Sequence, residues 1–135
     1  MRYLPAIVLL LSLTCCKKIK ENIQEEAVLD VVTSGQWKIS RFQKGDSTLT
    51  REFSAYRFRF QGNLKVEALK DGTPEAEGTW TGDQATQTIT SRFTTTQRPL
   101  VLLNGAWKIN RGSESFVEAS QAHSESTCHI RLEKL

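Results

Sequence analysis

Few side chains in this chain have types and neighbours suited to chemistry. The three cysteines and two histidines among its 135 residues come first. Cys15 and Cys16 close a short apolar lead. Arg2 gives it a positive start, Leu4 to Leu13 is apolar apart from Pro5 and Ser12, and Lys17-Lys18 opens a polar segment. A basic, then greasy, lead that ends in cysteine is an export signal with a lipid attachment site, not an element of the fold. His123, Glu125, Cys128 and His129 make the second cluster, of types that can hold zinc. Cys128 and His129 are adjacent in an alternating run, however, and so would point to opposite faces of a strand. Cys128 reads as a small core residue, and no metal is expected. No Gly-x-Ser-x-Gly elbow, phosphate loop or His-Glu-x-x-His occurs. Only His123 and His129 could serve as bases near neutral pH. No catalytic residue and no cofactor are expected, and the chain reads as a non-enzyme.

The apolar stretch is about ten residues long, against the roughly 20 that cross a bilayer as a helix. The lead resembles the lipobox of bacterial lipoproteins: an aliphatic residue, two small residues, then the cysteine that becomes the mature N-terminus. Leu13, Thr14 and Cys15 fill those places if Cys16 carries the lipid. Lipidation at Cys15 fits the pattern less well, and an ordinary signal peptide cut nearby is the plain alternative. The resemblance implies a thioether-linked diacylglyceryl group and an N-acyl chain on Cys16; two or more chains anchor stably where one does not. Residues 1–15 are then a signal peptide and 16–33 a lipidated tether with a short helix. Lys17 after the anchor, rather than Asp, resembles the outer-membrane choice, with periplasmic and surface faces both open. The expected place is the cell outer membrane, and the expected membrane partner is reached through the lipid.

Cutting before Cys16 removes only Arg2 from the 18 basic residues and leaves 17 against 15 acidic ones. That near-neutral balance gives no support for nucleic acid binding, which wants a clustered basic face. Cys128 is left without a partner, so the mature domain is expected to hold no disulfide. Its stability must come from an ordinary core, and its length suits one domain.

The elements that would position any site follow from periodicity. Ile19, Ile23, Ala27 and Val28 lie at helical spacing with Glu21, Glu25 and Glu26 early, which predicts one short helix at about 22 to 33. From Ser34 the period becomes two. Trp37/Ile39, Tyr56/Phe58/Phe60, Leu64/Val66/Ala68, Ala76/Gly78/Trp80, Ile89/Ser91/Phe93, Trp107/Ile109, a run from Phe116, and Cys128/Ile130/Leu132 each alternate with polar residues. Apolar-in, polar-out alternation marks antiparallel strands with one wet face. Glycine-bearing turns punctuate the runs, among them Lys44-Gly45-Asp46, Gln61-Gly62-Asn63, Asp71-Gly72, Gly82-Asp83 and Arg111-Gly112-Ser113. The fold class expected for 34–135 is all-β: about eight strands in an antiparallel up-and-down barrel, which leaves no sheet edge. A two-sheet sandwich is the alternative. Pro99 and the apolar Leu100 to Leu103 predict a helical turn that plugs a barrel end.

Gly35-Gln36-Trp37-Lys38-Ile39 returns as Gly105-Ala106-Trp107-Lys108-Ile109, with a weaker echo in Gly78-Thr79-Trp80. Such a Trp can cap a barrel interior while its indole N–H reaches a carbonyl. The Gly-x-Trp opening is a hallmark of lipocalins. The order of lipobox, short helix, Gly-x-Trp strand, Phe53-Ser54-Ala55-Tyr56-Arg57-Phe58-Arg59-Phe60, Gly-turn hairpin and Gly78-Thr79-Trp80 resembles the small bacterial lipocalin-like lipoproteins. The resemblance spans about residues 30 to 135. It implies a β-barrel and extracytoplasmic anchoring, but no known ligand. The chain is shorter than an animal-type lipocalin and lacks that group's later loop motifs.

An eight-stranded barrel either fills with side chains or holds one small molecule. Three Trp, several Phe and Tyr56 supply bulk. Ala68, Ala76, Gly78 and the Thr-rich 84–96 segment leave room for a partial cavity near one mouth. Trp37, Tyr56, Phe58, Trp80 and Trp107 are the candidate ligand-binding walls, with core packing as the simpler role for at least two of the three Trp. Two functions stay open: a binder of a small apolar molecule, and a solid-barrel interaction module that docks an envelope protein. Arg57 and Arg59 could face an anionic partner, although a solvated strand face is the default.

Overall fold

The protein is described by a computed structural model that covers residues 31–122 and 127–135. The export lead, Cys16 and most of the helix expected at 22 to 33 lie outside the described residues, as do His123 and Glu125. Of that helix, residues 31–33 are helical.

Among the described residues, nine strands form one antiparallel sheet: β1 (Trp37–Lys44), β2 (Ser47–Thr48), β3 (Tyr56–Phe60), β4 (Lys65–Lys70), β5 (Thr73–Asp83), β6 (Thr88–Phe93), β7 (Gly105–Gly112), β8 (Phe116–Ala122) and β9 (Thr127–Lys134). Each strand from β3 onward pairs with the next. β1 closes the ring against β9, with Trp37 opposite Lys134 and Lys44 opposite Cys128. The result is an eight-stranded up-and-down barrel with β2 appended, as the alternation and short turns predict; the sandwich is not formed. Closure gives every main strand two neighbours, which removes the edges along which antiparallel sheets aggregate.

The closing seam is uneven. β1 meets β3 through a single residue pair, Trp37 with Phe58. Beyond it β1 bends away, and β2 with a 3₁₀ helix (Thr50–Phe53) fills the gap. Thr50 Oγ1 accepts the Phe42 backbone N–H at 3.0 Å, and the rings of Phe53 and Phe42 lie 5.0 Å apart. The sequence of this segment carries only turn signals, which specify neither β2 nor the 3₁₀ helix.

Three bulges reset the alternation. In β1 the register against β9 shifts between Ile39 and Arg41. A strict period of two from Trp37 would put Arg41 inside; the extra residue turns Arg41 out and seats Phe42 in the core at 0% exposure. A shift between Ala68 and Leu69 lets both side chains be buried. A third falls between Ile109 and Arg111. Bulges of this kind add twist and bend, which a small closed barrel requires. Leu64, expected inside, is instead exposed, because it sits at φ 68° in the turn before β4 rather than in the strand.

On the outer surface of β7–β9, Glu118 pairs with both Arg111 (3.2 Å) and Arg131 (2.6 Å), and Arg131 also reaches Glu133 at 3.1 Å. The Arg131 guanidinium lies 4.3 Å over the Phe116 ring. These cross-strand pairs fix register on the wet face, where each contributes little individually.

Candidate functional site

The two ends of the barrel differ. One end carries the close of β1, the Lys70–Thr73 turn, the close of β6 and the opening of β7. Two 3₁₀ helices lie there, Thr50–Phe53 and Leu100–Leu103, and Phe53, Leu100 and Leu103 are buried. The helical turn expected after Pro99 therefore forms, and it plugs this end. Ser91 Oγ donates to the Leu103 carbonyl at 2.6 Å, and the Trp107 indole N–H donates to the same oxygen at 3.0 Å. Asn104 Oδ1 accepts the Phe93 N–H at 2.7 Å, and the Gln121 amide donates to the Asn104 carbonyl at 3.0 Å. The plug is thus tied to β6, β7 and β8 by hydrogen bonds that satisfy its buried carbonyls.

The opposite end carries the start of β1, the Gln61–Leu64, Gln84–Gln87 and Ser113–Ser115 turns, and the end of β9. A cavity of about 70 Å³ runs from the barrel centre toward it. Its floor is Phe93, Leu103 and Trp107, all buried. Ile39, Phe58, Val66, Ala119 and Ile130 form buried walls. Phe60, Ile89, Ile109, Val117 and Leu132 complete the lining and are only half-buried. All five sit in the halves of their strands nearest the unplugged end. Among the described residues, the exposure gradient makes that end the mouth and the 3₁₀ plug the blind end. Among the described lining residues the polar groups are the Ser91 hydroxyl and the Trp107 indole N–H, and both are engaged by the Leu103 carbonyl. Ser91 and Ala119 are the small side chains that leave the space.

Of the five residues expected to wall a site, the structure brings Phe58 and Trp107 together around the cavity. The other three belong to the core beside it. Trp37 stands at the start of β1, its indole donating to the Val32 carbonyl at 3.0 Å and its ring covered by the Lys134 ammonium 5.4 Å away. Trp80 pins the Gln61 turn, donating to its carbonyl at 3.1 Å, and packs edge-on against Phe60. Tyr56 lies at the plugged end, where its hydroxyl donates to Glu75 Oε2 at 2.5 Å. All three indoles find a carbonyl, as buried indoles need. The Gly-x-Trp repeat is also a structural one. Gly35 and Gly105 both take positive φ (75° and 119°), each after a short helical segment whose carbonyl accepts the indole. The two copies start strands at opposite barrel ends. Small and aliphatic wall residues were missed because nothing but position distinguishes them. The rim could have been found as the last inward residue before each turn of one barrel end.

The Tyr56 phenol has a displaced proton affinity. Burial first, then the hydrogen bond to Glu75 and that carboxylate's charge, push its pKa up from 10.0 to about 12. The unfolded chain loses this proton at the ordinary value while the folded chain keeps it. The stabilisation is therefore complete below pH 10 and drains away as pH rises through about 12. Urea unfolding followed across that window should show stability falling, and Tyr56→Phe should flatten the part of the fall due to this group.

The remaining chemical candidates are quiet. Cys128 is buried and His129 exposed on the opposite face, as adjacent strand residues must be. Burial pushes the Cys128 thiol pKa up, with Lys44 opposing in part, so the thiolate is disfavoured. Among the described residues no group of three or more His, Cys, Asp or Glu is placed to hold a metal ion. Arg59 pairs with Glu67 at 2.8 Å, and Arg57 donates to the Tyr56 carbonyl at 2.8 Å.

No protein-family model matches the chain, and no curated protein does. Among solved structures it is similar to the crystal structure of a DUF4847 family protein from Bacteroides vulgatus ATCC 8482. The TM-score is 0.58 at 15% identity, over 78% of this chain and 96% of that one. At that identity the likeness concerns fold alone, and it fits the lipocalin-like barrel expected from the sequence.

Proposed function

We propose that this protein is a lipid-anchored, extracytoplasmic barrel that holds a small apolar molecule in the cavity between the plug and the rim. The observation that carries the reading is the cavity's form among the described residues: blind at one end, open at the other, with the polar groups of Ser91 and Trp107 already hydrogen-bonded. Such a space favours apolar atoms and offers nothing to a polar or charged ligand. Anchoring at Cys16 rests on the short basic-then-apolar lead that closes on it. An alternative is a protein-interaction module, supported by the exposed Leu64 and Leu135 at the open end (45% and 60% exposed).

Native mass spectrometry of the protein purified from its own membranes separates the two. The expected result is a chain that begins at Cys16, carries acyl mass, and retains one further small molecule. A bare barrel with a co-purifying protein would replace the binder with the interaction module. A mature N-terminus without fatty acid would remove the anchor.

A further inference from the structure

We infer that the Gln61–Leu64 turn is a lipid-contacting tip: the anchored barrel leans on the bilayer with Leu64 in the headgroup layer and Lys65 at the phosphates. This rests on the reading of Cys16 as the lipidated residue and adds which side of the barrel the membrane meets. The first observation is the conformation of Leu64. Its φ of 68° lies in the left-handed region that glycine and asparagine tolerate and that is costly for leucine. The surroundings hold it there. The Leu64 N–H donates to the Gln61 carbonyl at 3.0 Å, and the Leu64 carbonyl accepts the Trp80 N–H at 3.0 Å. The Trp80 indole donates to the Gln61 carbonyl at 3.1 Å, and the Gln61 N–H to the Lys65 carbonyl at 2.8 Å. Yet the side chain so presented is 45% exposed. The fold bears the backbone cost and gains little burial in return, the pattern of a residue kept for a contact outside the barrel.

The second observation is where the chain enters the barrel. Trp37, at the start of β1, pairs with Lys134 of β9 on one side and with Phe58 of β3 on the other. The 31–36 segment therefore meets the barrel between the end of β9 and the Gln61–Leu64 turn that follows β3. Exposed Leu135 lies beside it, its N–H on the Gln36 carbonyl at 2.9 Å. Residues 17–30 separate Cys16 from this point, a reach of at most about 50 Å. An anchor so placed keeps this side of the rim close to the bilayer. A single inserted leucine then suffices, because the encounter is intramolecular. The third observation is charge. Lys65 is exposed next to Leu64, whereas exposed Asp83 and Glu114 stand at the other two turns of this end, and Glu133 is paired with Lys38 at 4.0 Å. An apolar tip flanked by a cation is what a lipid headgroup surface accepts.

The test uses the acylated full chain in vesicles of phosphatidylethanolamine and phosphatidylglycerol. A nitroxide is attached at Gly62→Cys, where an added Cβ meets nothing within 4 Å, or at Asp46→Cys, exposed in the turn after β1 at the plugged end. Cys128 is buried and is not labelled in the folded protein. Power-saturation EPR compares collisions with oxygen, which concentrates in lipid, and with a water-soluble nickel chelate. The Gly62→Cys label should favour oxygen and the Asp46→Cys label the chelate. Leu64→Asn, or Leu64→Gly should the first not fold, should reduce the docking equilibrium about fivefold, the loss expected for roughly half of a leucine's transfer from water. The urea midpoint of Leu64→Asn should be no lower than that of the unaltered protein, because relief of the backbone offsets the little burial lost. A lowered midpoint with unchanged docking would make Leu64 a packing residue and overturn the inference. Chelate-favouring labels at both positions, on protein that carries acyl mass, would overturn it and leave the anchor standing. Protein that lacks acyl mass and stays off the vesicles would remove the anchor itself. Protection of the Gly62→Cys label in native membranes but not in the lipid vesicles would give the tip to a protein partner and overturn the lipid assignment.

Discussion

Trp107→Ala is expected to lower unfolding free energy by about 3–5 kcal/mol, the range for removing a large buried aromatic from a core. The reason lies in its position. Trp107 is 5% exposed, packs edge-on against Phe42 at 6.0 Å, and forms part of the cavity floor. Its indole also holds the plug by donating to the Leu103 carbonyl. Alanine would enlarge the existing void and loosen the attachment of the blind end together. Trp107→Phe separates these effects. It keeps most of the packing and gives up only the hydrogen bond, and the Leu103 oxygen retains its bond from Ser91. That variant should cost only about 1–2 kcal/mol, combining one hydrogen bond and some lost area. Urea midpoints of the two variants measure the difference. Equal losses would mean that the indole bond, not the ring, secures this end.

Gly78→Ala is the second large effect, about 3 kcal/mol, and it acts through backbone rather than side chain. Gly78 lies in β5 between Val66 of β4 and Phe93 of β6. A Cβ there would meet the Arg92 carbonyl oxygen, with the Phe93 Cα at 2.9 Å. Both obstacles are main-chain atoms of a paired strand, so relief requires moving β6 against β5 and disturbing the ladder, the overpacked case at its upper end. Gly62→Ala is the matched control. Nothing lies within 4 Å of its added methyl and its φ is not positive, so its effect should stay within about 0.5 kcal/mol. With net stabilities of about 5–15 kcal/mol for a domain, the Gly78 variant should show a clearly lowered melting temperature. A midpoint equal to that of the Gly62 variant would refute the close approach of β5 and β6.

Much of the barrel is readable from residue order because pleating imposes a period of two on any strand with one wet face. Ile89, Ser91 and Phe93 point inward as their spacing requires, and Cys128 is buried where His129 is not. Pro99 before four apolar residues marks the plug. The reading fails where the chain departs from that period. Ser40 inserts an extra residue in β1, and this alone exchanges Arg41 for Phe42 in the core. Leu64 falls in a turn, and Ser47–Thr48 gain strand geometry only because β1 and β3 part after one pair. Each departure depends on a neighbour distant in sequence, which local patterning does not contain.

The candidate site divides in the same way. Bulky aromatics were legible as inward residues, but three of the five stand beside the cavity rather than around it. Gly78 reads in the sequence as a source of space, yet its smallness is consumed by the close approach of the β6 backbone.

The amino-acid sequence by itself determined that strands alternate, that they meet through short turns, that they close, and that one end receives a helical plug. It also carries the lead that ends at Cys16. Only tertiary structure decided which end stays open and where the residual space lies. Those outcomes depend on how side chains from strands far apart in sequence add their volumes across a closed interior, and that sum exists only once the ring has formed.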